Sequence, residues 1–417
     1  MQALILAAGE SSRFWPLNTR HKSLIKIMGK PLIWYTIDGL IRSGIKEIVV
    51  VQNSKKEIES ELKKFFPSVK YVIQKNPSGM GDAILVAEKF LGKNFFVLNA
   101  ERIDSSEYIS QFLKKFREEK PEMVLLTSKT RNPWLFGILK IEGDRVLEVI
   151  EKPRRGKEPS NLKVIGIYLL SKNLLPYLRK FRKKPDSLEK SISLFAKKER
   201  VKFAVSEQEP PSLKYPWHLF ELKNFLLERY LRFEISDSVQ MTRSCQIEGK
   251  VFIGEDCKIF ENVVLKGPCY IGKNCIIGNN TLIREGTIIE DDCIIGANAE
   301  IKNSMFQENI HTHSGYFGDS IFGQGCRIGA GTITANVRLN RQKIKSVVKG
   351  EKIETDLKRF GTVVGENTSF GINCSLMPGV LIGSNCFIGP KTLVRENIED
   401  NIFYYAKFKE VKKKRTQ

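Results

Sequence analysis

From Ile247 to Ile301 an aliphatic residue recurs at every sixth position: Ile247, Ile253, Ile259, Leu265, Ile271, Ile277, Ile283, Ile289, Ile295 and Ile301. Neither the 3.6-residue period of a helix nor the alternation of a strand produces this spacing, so it predicts a stacked solenoid. Each hexad is one short strand plus one corner, and three hexads make one coil of a triangular prism. Gly254, Gly272, Gly278 and Gly296 directly follow an aliphatic, and pairs such as Asp291-Asp292 fill other turns where positive φ is needed. The beat stops at Ile301, restarts out of phase at Phe322, Ile328 and Thr334, and runs again from Val364 through Phe370, Leu376, Ile382 and Ile388 to Val394. The interruptions predict loops.

Residues 1 to about 215 carry a different pattern. Apolar runs at Ala3 to Leu6, Glu47 to Gln52, Lys70 to Ile73 and Phe95 to Asn99 alternate with helical periodicity at Leu32 to Ser43, Lys55 to Phe66 and Gly81 to Phe90. This alternation predicts a Rossmann-like, mostly parallel sheet with helices on both faces, whose ligands bind at the carboxyl ends of the strands. Leu219, Leu222, Leu226 and Tyr230 mark one face of a connecting helix. The predicted layout is therefore an α/β domain over 1–215, a connector helix over 216–234, a β-helix over 235–400 and a basic tail over 401–417.

All eight cysteines lie two residues before one of the solenoid aliphatics, in the slot that Val251, Thr281 and Ala299 fill elsewhere. Their spacing follows the coil and not ligand geometry, which excludes a disulfide framework and marks them as small core residues. Unpaired thiols, the absence of a basic flank before Leu6 and the lack of any membrane-length apolar run predict a cytoplasmic protein with no membrane partner. The formal net charge is +21, with local density at Arg179 to Lys184, Lys197 to Lys202 and Lys407 to Arg415. No helix-turn-helix, zinc-finger or RNA-binding signature accompanies it, so no nucleic-acid partner is predicted.

The segment Leu6-Ala7-Ala8-Gly9-Glu10-Ser11-Ser12-Arg13-Phe14-Trp15-Pro16-Leu17, followed by Lys22, resembles the signature of sugar-1-phosphate nucleotidylyltransferases. Small residues after a first strand let backbone N–H groups approach a triphosphate, whose charge Arg13 and Lys22 would offset. Further landmarks follow in order: Gln74 and Gly79, where the family reads the base; Phe136-Gly137-Ile138; Glu151-Lys152-Pro153, whose Glu touches sugar hydroxyls in the family; Gly166-Ile167-Tyr168; and Tyr215-Pro216-Trp217. The resemblance implies UTP or another NTP, a sugar-1-phosphate and Mg²⁺. This sequence departs from the family pattern at the metal, where Glu101 replaces an Asp and Ser212 aligns with the second ligand. Val164 stands for a sugar-contacting Asn, and Ser11 for the second Gly of the phosphate loop. Two outcomes stand open: an active uridylyl-transfer domain, or a degenerate nucleotide-binding domain with a regulatory or structural role.

The segment His313-Ser314-Gly315-Tyr316-Phe317-Gly318-Asp319-Ser320, then Gly329-Ala330-Gly331-Thr332-Ile333-Thr334-Ala335-Asn336, resembles the acetyltransferase half of the bifunctional enzymes that make UDP-N-acetylglucosamine, in particular their archaeal type. The resemblance implies a left-handed β-helix, a homotrimer, acetyl-CoA as co-substrate, and glucosamine-1-phosphate or galactosamine-1-phosphate as acceptor. His313 is the expected base, because an imidazole suits removal of a proton from the sugar ammonium. Arg284 and Lys302, eighteen residues and hence one coil apart, would clamp the phosphate. Tyr316 and Asn336 would hold the sugar, and a backbone N–H near Ala330 would meet the thioester oxygen. Arg327 replaces a family Asn, where a larger cation would add a phosphate contact or change the acceptor.

Overall fold

The computed structural model describes the chain except residues 183, 208–210, 411 and 414–417. The chain divides into two compact units: Met1–Ser11 with Arg20–Ile25 and Lys30–Ser212, and Ser12–Thr19 with Lys26–Gly29 and Leu213–Gln417. A single cut near 215 does not describe this division, because two short early segments belong with the later one. Within the second unit the Trp15 indole donates to Asp400 at 3.2 Å, and the Gly29 N–H donates to Glu290 at 2.8 Å.

The first unit is built on a nine-stranded sheet in the order Lys70–Ile73, Glu47–Gln52, Gln2–Ala7, Asn94–Asn99, Leu162–Ser171, Met123–Lys129, Val201–Val205, Arg145–Glu151, Gly137–Glu142. Phe95 and Val97 point to one face and Phe96 and Leu98 to the other, and all four are fully buried. Continuous apolar strands of this kind need helices on both sides. Leu32–Arg42 and Ser105–Glu119 cover one face, and Met80–Val86, Leu175–Lys180 and Ser187–Ala196 the other. The chain leaves Gln2–Ala7 toward one edge and returns on its other side at Asn94–Asn99, so the strand order reverses between these two.

In the second unit the helix Leu219–Tyr230 leads into a left-handed hexapeptide β-helix of three parallel sheets with eight, nine and eight strands. The predicted aliphatics occupy its interior in columns, Ile253 over Ile271 over Ile289 for example. Each fully buried one contributes roughly 1.5–3 kcal/mol. The eight cysteines are all free, and all but Cys245 are buried in the same interior.

Corner chemistry divides between two residue types. Asp256, Asn274, Asp292 and Asn298 take positive φ, whereas Gly254 does not. A Cβ at Gly254 would sit 2.8 Å from the backbone of Gly272 in the next coil, so coil-to-coil approach, and not φ, selects glycine there.

The shift of phase after Ile301 is not a loop, contrary to the expectation from the sequence. Register pairs lie eighteen residues apart at Ile271 and Ile289 but sixteen apart at Phe306 and Phe322. The coil continues with shortened corners, and Phe306, Thr312 and Phe317 point inward. The later interval does hold an insertion, the antiparallel hairpin Lys345–Val348 with Glu351–Glu354. The solenoid also runs past 400: Phe403–Tyr404 pairs in parallel with Phe387–Ile388, inside the stretch read as a tail. Part of that tail lies outside the described residues.

Glu290 is fully buried within the second unit. Burial pushes its carboxyl up to about 8, with Glu308 and Asp291 adding to the shift and the Gly29 N–H and Lys26 opposing it. The folded state therefore favours the protonated acid. Destabilisation begins as pH rises past the ordinary value and is complete above about 8. Glu290→Gln, a neutral isostere, should raise the thermal midpoint of this unit by a few degrees at pH 9, on the order set by about 1 kcal/mol, and change it little at pH 4. Differential scanning calorimetry at the two pH values checks this.

Candidate active sites

In the first unit a cavity of about 260 Å³ lies at the carboxyl ends of Gln2–Ala7 and Asn94–Asn99, where the strand order reverses. Leu6, Ala8, Gly9, His21, Lys22, Gln74, Gly79, Asn99 and Glu101 help to line it. Ala7 ends the first strand and is buried, so Ala8 and Gly9 bring bare backbone to the opening. Ser11, in the place of a family glycine, adopts φ 54°, the left-handed conformation that glycine takes without strain. Its hydroxyl accepts from the Lys22 N–H at 3.2 Å, which offsets part of that strain.

Lys22 Nζ meets Glu101 Oε1 at 2.5 Å inside this cavity. Burial raises the Glu101 value, but the Lys22 ammonium outweighs it and holds the carboxyl below its ordinary range. Burial pushes the neighbouring His21 imidazole down to about 4, against the pull of Glu101, so His21 is neutral at pH 7. The sequence did not single out His21; its position directly before Lys22 was the available signal. The Gln74 amide donates to Asp82 at 2.8 Å, and Arg182 donates to the other Asp82 oxygen at 3.0 Å, which orients the amide.

Other expected residues of this half stand apart from the cavity lining. Arg13 and Ser212 are exposed, and Val164 packs part-buried against the apolar core. Gly137 and Glu151 pair across two antiparallel strands, and a Cβ on Gly137 would lie 2.9 Å from Glu151 Oε2. Among the described residues no group of three His, Cys, Asp or Glu side chains forms a metal cage. A divalent ion that takes one carboxylate and fills its shell with phosphate oxygens and water fits Glu101; an all-protein site does not.

In the second unit the sheet containing Leu282–Ile283, Ala299–Lys302, Gly315–Gly318 and Thr332–Thr334 carries the second constellation. Ile283 pairs with Ile301 and Lys302 with Gly318, so Arg284 and Lys302 follow one another along one edge, as the one-coil spacing predicts. Glu300 and Tyr316 pair on the outward face, and Arg284 Nη1 leans back over it to Glu300 Oε1 at 2.9 Å. Tyr316 Oη accepts from the Asn336 amide at 3.2 Å, and burial raises the phenol above its ordinary value.

His313 lies on the opposite edge of the same face, at the corner between His311–Thr312 and Gly315–Gly318. It is exposed, and among the described residues its imidazole has no hydrogen-bond partner. The corner of the next coil, Gly329 to Gly331, stacks against it: His313 N–H donates to Ile328 and Gly331 N–H to Ser314. Ala330 therefore neighbours His313.

Arg327 Nη1 donates to the carbonyls of Asn309, Gly325 and Cys326, and Nη2 to Asn309 Oδ1, so the guanidinium ties one corner to the next. Glu300, the carboxylate that holds Arg284, was not foreseen; its place two residues before Lys302 on the outward side was the only hint.

A mixed sheet whose parallel strands reverse order beside a small-residue loop, joined to a hexapeptide β-helix that carries His313 and Arg284 on one face, defines a two-domain sugar-phosphate transferase. The nucleotidyl transferase family profile matches residues 2–208, and the bacterial transferase hexapeptide profile matches 250–285 and 361–396. The chain is 37% identical over 421 residues to the bifunctional protein GlmU of Methanococcus maripaludis strain C7, covering 98% of each chain. It is 31% identical over 413 residues to the GlmU of Methanocaldococcus jannaschii, again covering 98% of each. It is 32% identical to the bifunctional sugar-1-phosphate nucleotidylyltransferase/acetyltransferase of Sulfurisphaera tokodaii, covering 97% of this chain and 100% of that one. The chain belongs to the GlmU family of bifunctional sugar-1-phosphate nucleotidylyltransferase/acetyltransferases.

Proposed function

We propose that the chain makes UDP-N-acetylglucosamine in two steps, acetylation of glucosamine-1-phosphate from acetyl-CoA and then uridylyl transfer from UTP, and that each unit holds one of them. The single observation that carries the acetyl step is the shared face in the second unit, with His313 and Ala330 on one edge and Arg284 and Lys302 on the other. From His313 to Tyr316 the strand advances ~10 Å, a span comparable to a hexose phosphate. Arg284 and Lys302 clamp the phosphate, Tyr316 and Asn336 hold the ring, and His313 takes a proton from the ammonium. The amine nitrogen then bonds to the thioester carbon, the Ala330 N–H faces the oxygen as it gains charge, and the C–S bond breaks; of the two protons the ammonium gives up, one leaves on the CoA thiol and the other passes to solvent. Because His313 stands exposed on a flat face, we infer that a second copy of the chain closes the site in a homotrimer.

In the first unit the backbone at Ala8 and Gly9 receives the triphosphate, with Lys22 offsetting its charge, while Gln74 and Gly79 meet the base and Gly137 and Glu151 the sugar. Glu101 would hold Mg²⁺, which when bound neutralises charge on the reacting phosphates. Full-length relatives of bifunctional type favour two activities over a degenerate first unit. One preparation should release CoA thiol with acetyl-CoA and glucosamine-1-phosphate, and pyrophosphate with UTP, Mg²⁺ and N-acetylglucosamine-1-phosphate. Thiol release without pyrophosphate release would leave only the acetyltransferase.

A further inference from the structure

Lys223, on the helix Leu219–Tyr230, is fully buried although it carries an ammonium, and no motif in the sequence includes it. Burial pushes its value down to about 7, with Asp319 opposing. A buried cation is tolerated only where its donors are met. Here Nζ donates to the Gly286 carbonyl and, at 2.5 Å, to Asn303 Oδ1. With its oxygen so held, the Asn303 amide turns its nitrogen to Asp319 Oδ1 at 2.6 Å. The second Asp319 oxygen accepts from Asn336 Nδ2 at 2.5 Å, and that same nitrogen lies 3.2 Å from Tyr316 Oη.

Both anchor points stand beside the phosphate clamp. Gly286 follows Arg284 by two residues and Asn303 follows Lys302 directly. Gly286 has φ +76°, and a Cβ there would approach Asn303 Oδ1 to 2.7 Å and Lys223 Nζ to 3.2 Å, so the corner is shaped around this ammonium.

We propose that Lys223 is a positioning residue of the acetyl-transfer site, which through Gly286, Asn303 and Asp319 sets the placement of Arg284, Tyr316 and Asn336 around the sugar phosphate. This rests on the assignment of those three residues to the sugar phosphate. Without the ammonium Asn303 Oδ1 loses its donor, and the amide is held from the Asp319 side alone, so the relay is no longer fixed at its far end.

The test is steady-state acetyl transfer by the full chain in Lys223→Met, Asn303→Ala and the double variant, with Tyr316→Phe as a reading of the site itself. Each relay variant should raise KM for glucosamine-1-phosphate about tenfold with KM for acetyl-CoA unchanged, and the double should be no worse than one single. Uridylyl transfer reports that the other unit has folded, and an unchanged thermal midpoint that the β-helix has. Asn303→Ala leaves the Lys223 bond to Gly286 in place and reads the relay even if Lys223→Met does not fold. Equal changes in both KM values, or losses that multiply in the double variant, overturn the proposal in favour of a mere helix anchor. A raised sugar-phosphate KM in Tyr316→Phe with wild-type values in the relay variants overturns the proposal alone. An unchanged KM in Tyr316→Phe overturns the site assignment and the proposal with it.

Discussion

His313→Ala should lower acetylation of glucosamine-1-phosphate by roughly 10²–10⁴-fold, with uridylyl transfer by the same preparation unchanged. The sugar amine is an ammonium near neutral pH, and only its free-base form attacks a thioester. His313 is the one imidazole on the edge shared with Ala330; His311 lies two residues earlier, in the strand that pairs with Arg327. The same substitution at His311 should therefore leave acetyl transfer within a few-fold of wild type. His313 is exposed and its neighbours contact its backbone, so the alanine variant should keep its thermal midpoint. Thiol release from acetyl-CoA, followed at saturating sugar phosphate, gives the result directly. Wild-type turnover in His313→Ala would remove it as the base.

Glu101→Gln should reduce uridylyl transfer by about 100-fold or more, a loss of the several kcal/mol that a metal ligand contributes, and should leave acetyl transfer intact. The amide keeps the volume of the acid but not its charge. Glu101 is the carboxylate lining the cavity at the strand reversal, and Lys22 keeps it ionised. Glu101→Asp shortens the side chain by one methylene to the acid expected from the family pattern, and should retain most of the activity. Pyrophosphate release at several Mg²⁺ concentrations distinguishes the two variants: the Gln form should need more metal for half-maximal rate, the Asp form should not. Equal activity in wild type and Glu101→Gln would place the metal elsewhere.

Much of this architecture is visible in residue spacing alone. A six-residue beat admits one solution, because a lone aliphatic at that interval has an interior only if the chain turns three corners per coil. Two-sided apolar strands such as Phe95 to Leu98 likewise require helices on both faces. Chain order alone did not reveal the shortened corners after Ile301, since removing a corner residue erases the beat without breaking the coil. For the same reason the strand at Phe403–Tyr404 was hidden in an apparently basic tail.

Site residues divide along the same line. The sequence by itself determined the residue types the chemistry needs and the one-coil register of Arg284 with Lys302, because that register is a property of the repeat. Only the tertiary structure decided which charges are already committed: Lys22 to Glu101, Arg284 to Glu300, Arg327 to corner carbonyls and Lys223 to Asn303. Partners of this kind lie on other strands, other coils or a separate helix. A charged side chain's availability depends on the nearest opposite group in space, which a one-dimensional pattern does not encode.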